Sequence, residues 1–325
     1  MVSATDAARS RRRAVLEALR EAGAAGVSGE ALARALGVSR AAVAKHVAAL
    51  VAAGYGIAAS PGSGYTLVSA PDLPLPDEVA SLLRSAIWSR LEGGMVTEST
   101  NDDCKALARA GAPEGTAVLA AEQTAGRGRL GREWSSPPGG VYVSALLRPP
   151  MPAAAVSALS PATALGIARG LRALGADVGV KWPNDVMLGG DKVAGVLLEM
   201  SAEADRVEWV VAGCGVDVHP PAERFPGAAY LVDALPEVRL AEVAAAVLDG
   251  LARAYVEMLA GGFGALVPEY RRFDALAGTS VEVRDGTGAI VTAGKADGVD
   301  DAGRLLVLTP DGTARVSSGE VTLRR

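Results

Sequence analysis

Along the first fifty residues, apolar positions recur with a helical period. In "RRRAVLEALREAG", Val15, Leu16 and Leu19 fall on one face and a glycine ends the run. "SGEALARALG" opens on Ser28 as an N-cap, sets Leu32 and Leu36 four apart and stops at Gly37. Ser39 then caps a third helix whose apolar stripe is Val43, Val47 and Leu50. "YGIAASPGSGYTLV" switches to two short strands about a Pro-Gly-Ser-Gly turn. Helix, helix, tight turn, helix and hairpin is the order of a winged helix-turn-helix, expected over residues 1–70.

Three prolines in "APDLPLPDE" predict a stiff linker over 71–87. Strand-like runs follow at 115–123, 140–149, 177–182, 192–200 and 208–218, with long amphipathic helices at 153–173 and 239–261. Strands without regular helical crossovers predict an α+β domain with a mixed sheet over 88–272. After "FDALAGTS" the pattern alternates apolar and polar and is broken by DG, GTG and DGT turns. That predicts a small antiparallel β-barrel over 273–325.

The 325 residues are half hydrophobic and 21% charged, enough to bury a sizeable core. The net charge of −5 is unevenly spread. Residues 1–70 hold eight Lys or Arg against four acids, which leaves −9 on the other 255. A basic head on an acidic body points to the head alone meeting a polyanion. Two cysteines, Cys104 and Cys214, make neither a disulfide framework nor a metal cluster, so no metal ligands are assigned. The opening "MVSATDAARSRRR" lacks a following apolar core, and no run reaches the length of a membrane span, so a cytoplasmic location without membrane contact is expected.

Four places carry candidate chemistry. On the third helix, Ser39, Arg40, Lys45 and His46 lie off the apolar stripe, free to meet DNA phosphates and base edges. In "EQTAGRGRLGREW", Gly126, Gly128 and Gly131 let backbone N–H groups approach a ligand, while Arg127, Arg129 and Arg132 supply permanent positive forks. Trp134 offers a face for a purine. The loop is neither a Walker A loop nor a dinucleotide fingerprint. By itself it suits a nucleotide, RNA or a solvated surface about equally. In "VKWPNDVML", Lys181 ends an apolar strand, where an ammonium without an anion is costly. In "TESTNDDCKALA", Ser99, Thr100 and Asn101 sit at a helix start, as caps or as contacts to a small polar head group. With only His46 and His219 in the chain, no Ser/His/Asp or Cys/His set is available for covalent catalysis.

Taken in order, "SRAAVAKHVAAL" with "PGSGYTL", "STN", "EQTAGRGRLGREW", "VKWPNDV", "KVAGVLLEM" and "GRLLVL…SGEVTLR" resemble the bifunctional biotin protein ligases, the biotin operon repressors with an N-terminal DNA-binding domain. The resemblance spans nearly the whole chain and implies an SH3-like C-terminal barrel. It also implies a two-step reaction. Biotin and MgATP give biotinyl-5′-AMP and pyrophosphate, and a lysine of a biotin carboxyl carrier protein then takes the biotin. It implies contacts to biotin from Ser99, Thr100, Asn101 and Gln123, and a loop of Arg127, Gly128 and Arg129 over biotin and adenylate. Lys181 is implied at the reacting carboxylate and phosphate, with Arg132, Trp134 and Asp217 on the nucleotide side. Asp217 departs from the family's Gly-Ile-Asn, and its added charge leaves the direction of the effect on ATP open. A ligand-promoted homodimer on operator DNA completes what the resemblance implies. The nearest rivals are a lipoate protein ligase, a sensor that has lost ligase activity, and an RNA-binding protein.

Overall fold

The computed structural model describes residues 4–60, 64–204 and 206–323, with side chains from residue 10 on. The chain divides into two compact units, Met1–Asp72 and Leu73–Arg325.

The smaller unit has helices α1 (Ala4–Ala22), α2 (Gly29–Leu36) and α3 (Arg40–Ala52), then strands β1 (Gly56–Ser60) and β2 (Gly64–Ser69). Helix α1 starts at Ala4, ahead of the arginine run at which the periodicity begins. The two predicted caps form: Ser28 Oγ accepts from the Ala31 N–H and Ser39 Oγ from the Ala42 N–H. Gly37 closes α2 in the left-handed region, and α2 and α3 meet at a 104° bend. That is helix-turn-helix geometry. Val15, Leu16, Leu19, Leu32, Val43, Val47 and Leu50 form its core with Tyr55. The hairpin is antiparallel; residues 61–63 at its tip, the expected wing turn, lie outside the described residues.

The larger unit opens on a short helix, α4 (Pro76–Ala80), within the stretch expected to be linker. Leu75, Pro76, Asp77, Glu78 and Val79 are buried, and the Trp88 indole donates to Leu248 O at 2.9 Å. Residues 75–88 are thus tied to the larger unit, because the prolines alternate with leucine and valine side chains that have a core to enter. Then come β3 (Arg90–Thr97), α5 (Thr100–Arg109), β4 (Thr116–Gln123), β5 (Gly140–Leu147) and α6 (Leu159–Ala173). They are followed by β6 (Val178–Lys181), β7 (Asp185–Leu188), β8 (Asp191–Glu203), β9 (Arg206–Asp217), α7 (Leu240–Gly261) and α8 (Val267–Phe273). Seven strands make one sheet in the order β3-β4-β5-β9-β8-β7-β6, parallel only between β3 and β4. It is the mixed sheet expected.

Alternate residues of the central strands face opposite ways. Ala117, Leu119, Val143, Ala145, Val210 and Ala212 pack under α6 and α7, whereas Val118, Leu146 and Val211 pack under α5 with Cys104 and Ala108. Helices α6 and α7 cross at Gly166 and Gly250, where a Cβ on either would strike the other's backbone. Contrary to the expectation that no run reaches that length, 153–173 has the length and composition of a membrane span, but 72% of its most apolar 18 residues are buried in this core. Strands β10 (Ser280–Arg284), β11 (Ile290–Val299), β12 (Leu305–Thr309), β13 (Gly312–Val316) and β14 (Glu320–Leu323) form a five-stranded antiparallel sheet. Its Val281, Val283, Leu305 and Val307 join the core of the central domain.

Candidate active site

The cleft begins as a gap in one face of the central sheet. Strand register sets Val118, Ser144, Gly213 and Leu197 in one row across β4, β5, β9 and β8, and Ala120, Tyr142, Gly215 and Gly195 in the next. All lie on the face that α5 covers in part. Where the rows reach Gly213, Gly215 and Gly195 there are no side chains, and a cleft of about 440 Å³ opens. That is within the usual range for small-molecule sites, roughly 300–1,000 Å³.

One end of the cleft is neutral and polar. Ser99 holds the N-cap position of α5 but does not cap with its side chain. The carbonyl of Gln123 replaces it, accepting from the Thr100 N–H at 2.8 Å and the Thr100 O–H at 2.9 Å. Ser144, fully buried, donates its single proton toward Thr100 Oγ1 or Asn101 Oδ1. The Asn101 amide N–H meets Glu199 Oε2 at 2.8 Å, which fixes the amide's orientation. On the loop side, Gln123 Nε2 donates to Ser136 Oγ, which donates to the Trp134 carbonyl, both at 2.9 Å. A continuous hydrogen-bonded chain therefore joins the floor of the cleft to the arginine loop.

The loop folds back on itself through Gly128 N to Arg132 O at 2.7 Å and Trp134 N to Gly126 O at 3.0 Å. Its three arginines have different surroundings. Arg127 makes a bidentate pair with Asp102 at 2.6 and 2.8 Å and reaches Glu199 at 3.3 Å. Arg129 enters the cleft, donating to Asn184 Oδ1 at 2.9 Å and to the Gly319 carbonyl at 3.4 Å. Burial pulls its pKa down, while Asp185 and Glu320 counter. Arg132 pairs with Glu320. The Trp134 indole lies across the glycine floor: a Cβ at Gly215 would overlap its Nε1, and one at Gly195 would press its ring.

The far wall is the β6–β7 hairpin. Trp182 is buried and donates to Gly303 O at 2.9 Å; Asn184 donates to Val196 O at 2.8 Å while accepting from Arg129. Lys181 and Asp185 are paired across the turn, and both line the cleft.

The cleft thus gathers Ser99, Thr100, Asn101, Gln123, Arg127, Gly128, Arg129, Arg132, Trp134 and Lys181 from three separate segments. Asp217 is not among its lining residues. It ends β9 opposite Gly140, and burial raises its carboxyl to about 7 against the pull of Lys192. Three features in or behind the cleft escape the sequence reading. Lys192 stands with its ammonium 4.8 Å from the Trp134 ring centroid and 2.6 Å from Asp185. Ser144 and Ser136 carry the polar chain just described. Glu320, Val321 and Thr322 bring the C-terminal sheet to the cleft as a wall. Lys192 and the wall lie in stretches that carry the resemblance, "KVAGVLLEM" and "SGEVTLR", but their place at the cleft depends on tertiary contact alone. Burial raises both cysteine thiols to about 12, so they stay un-ionised.

In the smaller unit, Arg40 and Lys45 are exposed on α3 and His46 is half-buried. Burial and then the charges of Arg11, Arg12 and Lys45 lower the His46 pKa, so α1 adds two arginines to the cationic face of the third helix.

A glycine floor, a neutral polar end and the cations Arg129, Arg132, Lys181 and Lys192 make a cleft suited to an anionic ligand with a polar head. Attached to a helix-turn-helix, it marks a ligase that also carries a DNA-binding module. Residues 93–217 match the Biotin/lipoate A/B protein ligase family, 11–66 an HTH domain, and 277–324 the Biotin protein ligase C terminal domain. The bifunctional ligase/repressor BirA of Bacillus spizizenii is 34% identical over 96% of this chain and 98% of its own length. The biotin–[acetyl-CoA-carboxylase] ligase of Paracoccus denitrificans is 39% identical over 69% of this chain and 97% of its own. The biotin protein ligase of Aquifex aeolicus in complex with biotin and ATP superposes with a TM-score of 0.63 at 28% identity, over 73% of this chain and 99% of that one. The chain belongs to the biotin protein ligase family, in its bifunctional ligase/repressor form.

Proposed function

We propose that the protein joins biotin to ATP and passes the biotin to a carrier-protein lysine. A biotin carboxylate oxygen attacks the α-phosphorus of ATP, the bond to the β-phosphate breaks, and pyrophosphate leaves. The uncharged amine of the carrier lysine then attacks the acyl carbon, and AMP leaves with the bonding electrons. Both steps need anions held together with water excluded, so positive charge and orientation do the work. The observation that carries this reading is the ring of Arg129, Arg132, Lys181 and Lys192 around a glycine floor with a neutral polar end.

Ser99, Thr100, Asn101 and Gln123 take the neutral biotin head at the polar end, with Ser144 behind them. Arg129 and Gly128 close over the join. Trp134 and Arg132 belong to the nucleotide, with Asp217 at its edge. Two lysines compete for the reacting oxygens. Lys192, against Trp134 and Asp185, lies where the loop meets the floor, and we assign it the poised role beside Lys181. Magnesium would travel on the nucleotide phosphates, since among the described residues no three His, Cys, Asp or Glu gather to hold a metal. The carboxylates that line the cleft are Glu133, Asp185 and Glu320.

We assign DNA binding to residues 1–70, catalysis to 88–272 and closure of the cleft to 273–325. The helix-turn-helix presents the charges of Arg40 and Lys45 to an operator, with His46 beside them held toward its neutral form, and acts as a ligand-promoted dimer. The setting is the cytoplasm, consistent with two free thiols.

The adenylation step is tested by biotin-dependent exchange of labelled pyrophosphate into ATP. Exchange should require biotin; none with biotin, at any ATP concentration, removes the reading.

A further inference from the structure

Arg127 lines the cleft, yet its guanidinium is held by carboxylates of the protein itself. Both of its terminal nitrogens are engaged by carboxylates, Asp102 through two bonds and Glu199 through a third. Lys105 pairs with the same two acids, at 2.8 Å to Asp102 and 2.6 Å to Glu199. Two cations and two anions cancel, so the cluster adds no pull on a negatively charged adenylate. Its effect is mechanical: it fastens the loop to α5 and β8. The pairing also keeps the Asp102 carboxyl well below the usual carboxylate range, first through the Arg127 hydrogen bond. Glu199 carries the connection inward, because the same oxygen that meets Arg127 accepts from the Asn101 amide on the cleft floor.

We propose that Asp102 is a positioning residue, a latch that holds the arginine loop shut through Arg127 and so sets how long the mixed anhydride is retained before transfer. This rests on the adenylate-forming reading for its consequence, but not for its geometry. Asp102 touches none of the reacting groups. Bidentate arginine–carboxylate pairs fix orientation as well as adding energy, and a networked pair outlasts an isolated surface one. A plainer reading makes Asp102 merely a favourable negative charge in the first turn of α5. Asp103, in that same turn and bonded to Thr97, is the natural control.

The test uses the full-length protein with Asp102→Asn, Asp102→Ala and Asp103→Asn. Trypsin under native conditions reads loop opening directly, since Arg127, Arg129 and Arg132 are its own cleavage sites. Cleavage at these bonds should accelerate about three- to tenfold in both Asp102 variants and stay at the parent rate in Asp103→Asn. The second readout preloads labelled adenylate, chases with unlabelled ligands and follows release. Release should quicken by the same factor while the rate of adenylate formation changes less than twofold. Salt should drive the unmutated protein toward the variants, because the latch is half-exposed. Parent-like cleavage and release in both Asp102 variants would overturn the latch, as would equal acceleration in Asp103→Asn. If the unmutated protein forms no adenylate, the functional reading fails and the trypsin rates alone decide the latch.

Discussion

Lys192 and Asp217 show how much a single residue's surroundings decide. Lys192 has its charge held between a carboxylate and an indole face. Replacing it by Ala leaves Asp185 without its cation and removes the charge nearest the glycine floor. We expect adenylate formation to fall by roughly 10²-fold, or about 3 kcal/mol, and Lys181→Ala to cost less; rapid-quench measurement of adenylate in both variants checks the order. Asp217 is the opposite case, a carboxyl that burial makes reluctant to ionise. Its pKa rises from 3.8 to about 7 on folding. The folded state therefore holds this proton more tightly, and the associated stability is full below about pH 4 and lost as pH climbs through 7. Asp217→Asn carries no such loss. Its melting temperature relative to the parent should increase between pH 5 and pH 8, the free-energy difference growing by at most about 4 kcal/mol. A gap that stays constant with pH would show that Asp217 ionises freely.

Among the elements, β8 and β9 supply a surface that works because parts of it are missing. Gly213 leaves room for the Asn101 amide, and Gly215 with Gly195 for the Trp134 indole. Gly215→Ala should push the indole off the floor and raise the KM for ATP about tenfold while leaving biotin binding near normal; titration calorimetry with each ligand separates the two. The strands themselves were legible from their apolar runs, and the helices of the smaller unit from caps and stripes. The cleft was legible only as fragments, "STN", "GRGRLGREW" and "KWPND", whose convergence depends on strand order rather than on local pattern. Arg127 illustrates the limit. Its residue type speaks for an anion in a ligand, whereas the approach of Asp102 and Glu199, two of the protein's own carboxylates, depends on tertiary structure. The short strands β3 and β7 went unread because β3 is interrupted by glycines and β7 follows directly on the turn after Pro183.

For the whole molecule, the C-terminal segment is a wall of the cleft as well as a folded sheet. Its Gly303 holds Trp182, its Gly319 holds Arg129, and its Glu320 holds Arg132. Removing residues 277–325 should therefore abolish adenylation. Ligand-promoted dimerisation, as proposed above, makes a prediction for DNA binding. Operator affinity should be higher with biotin and ATP than without, and Lys45→Ala should lower the salt slope of DNA binding by about one. Equal operator affinity in both ligand states would separate the ligase from the repressor. The most direct test of the account as a whole is carrier labelling. The full-length protein is incubated with ATP, magnesium, a biotin carboxyl carrier domain, and either labelled biotin or labelled lipoate. The account predicts that biotin alone is transferred, and that a carrier whose acceptor lysine is changed to Ala takes none; transfer of lipoate in its place, or of neither, would contradict it.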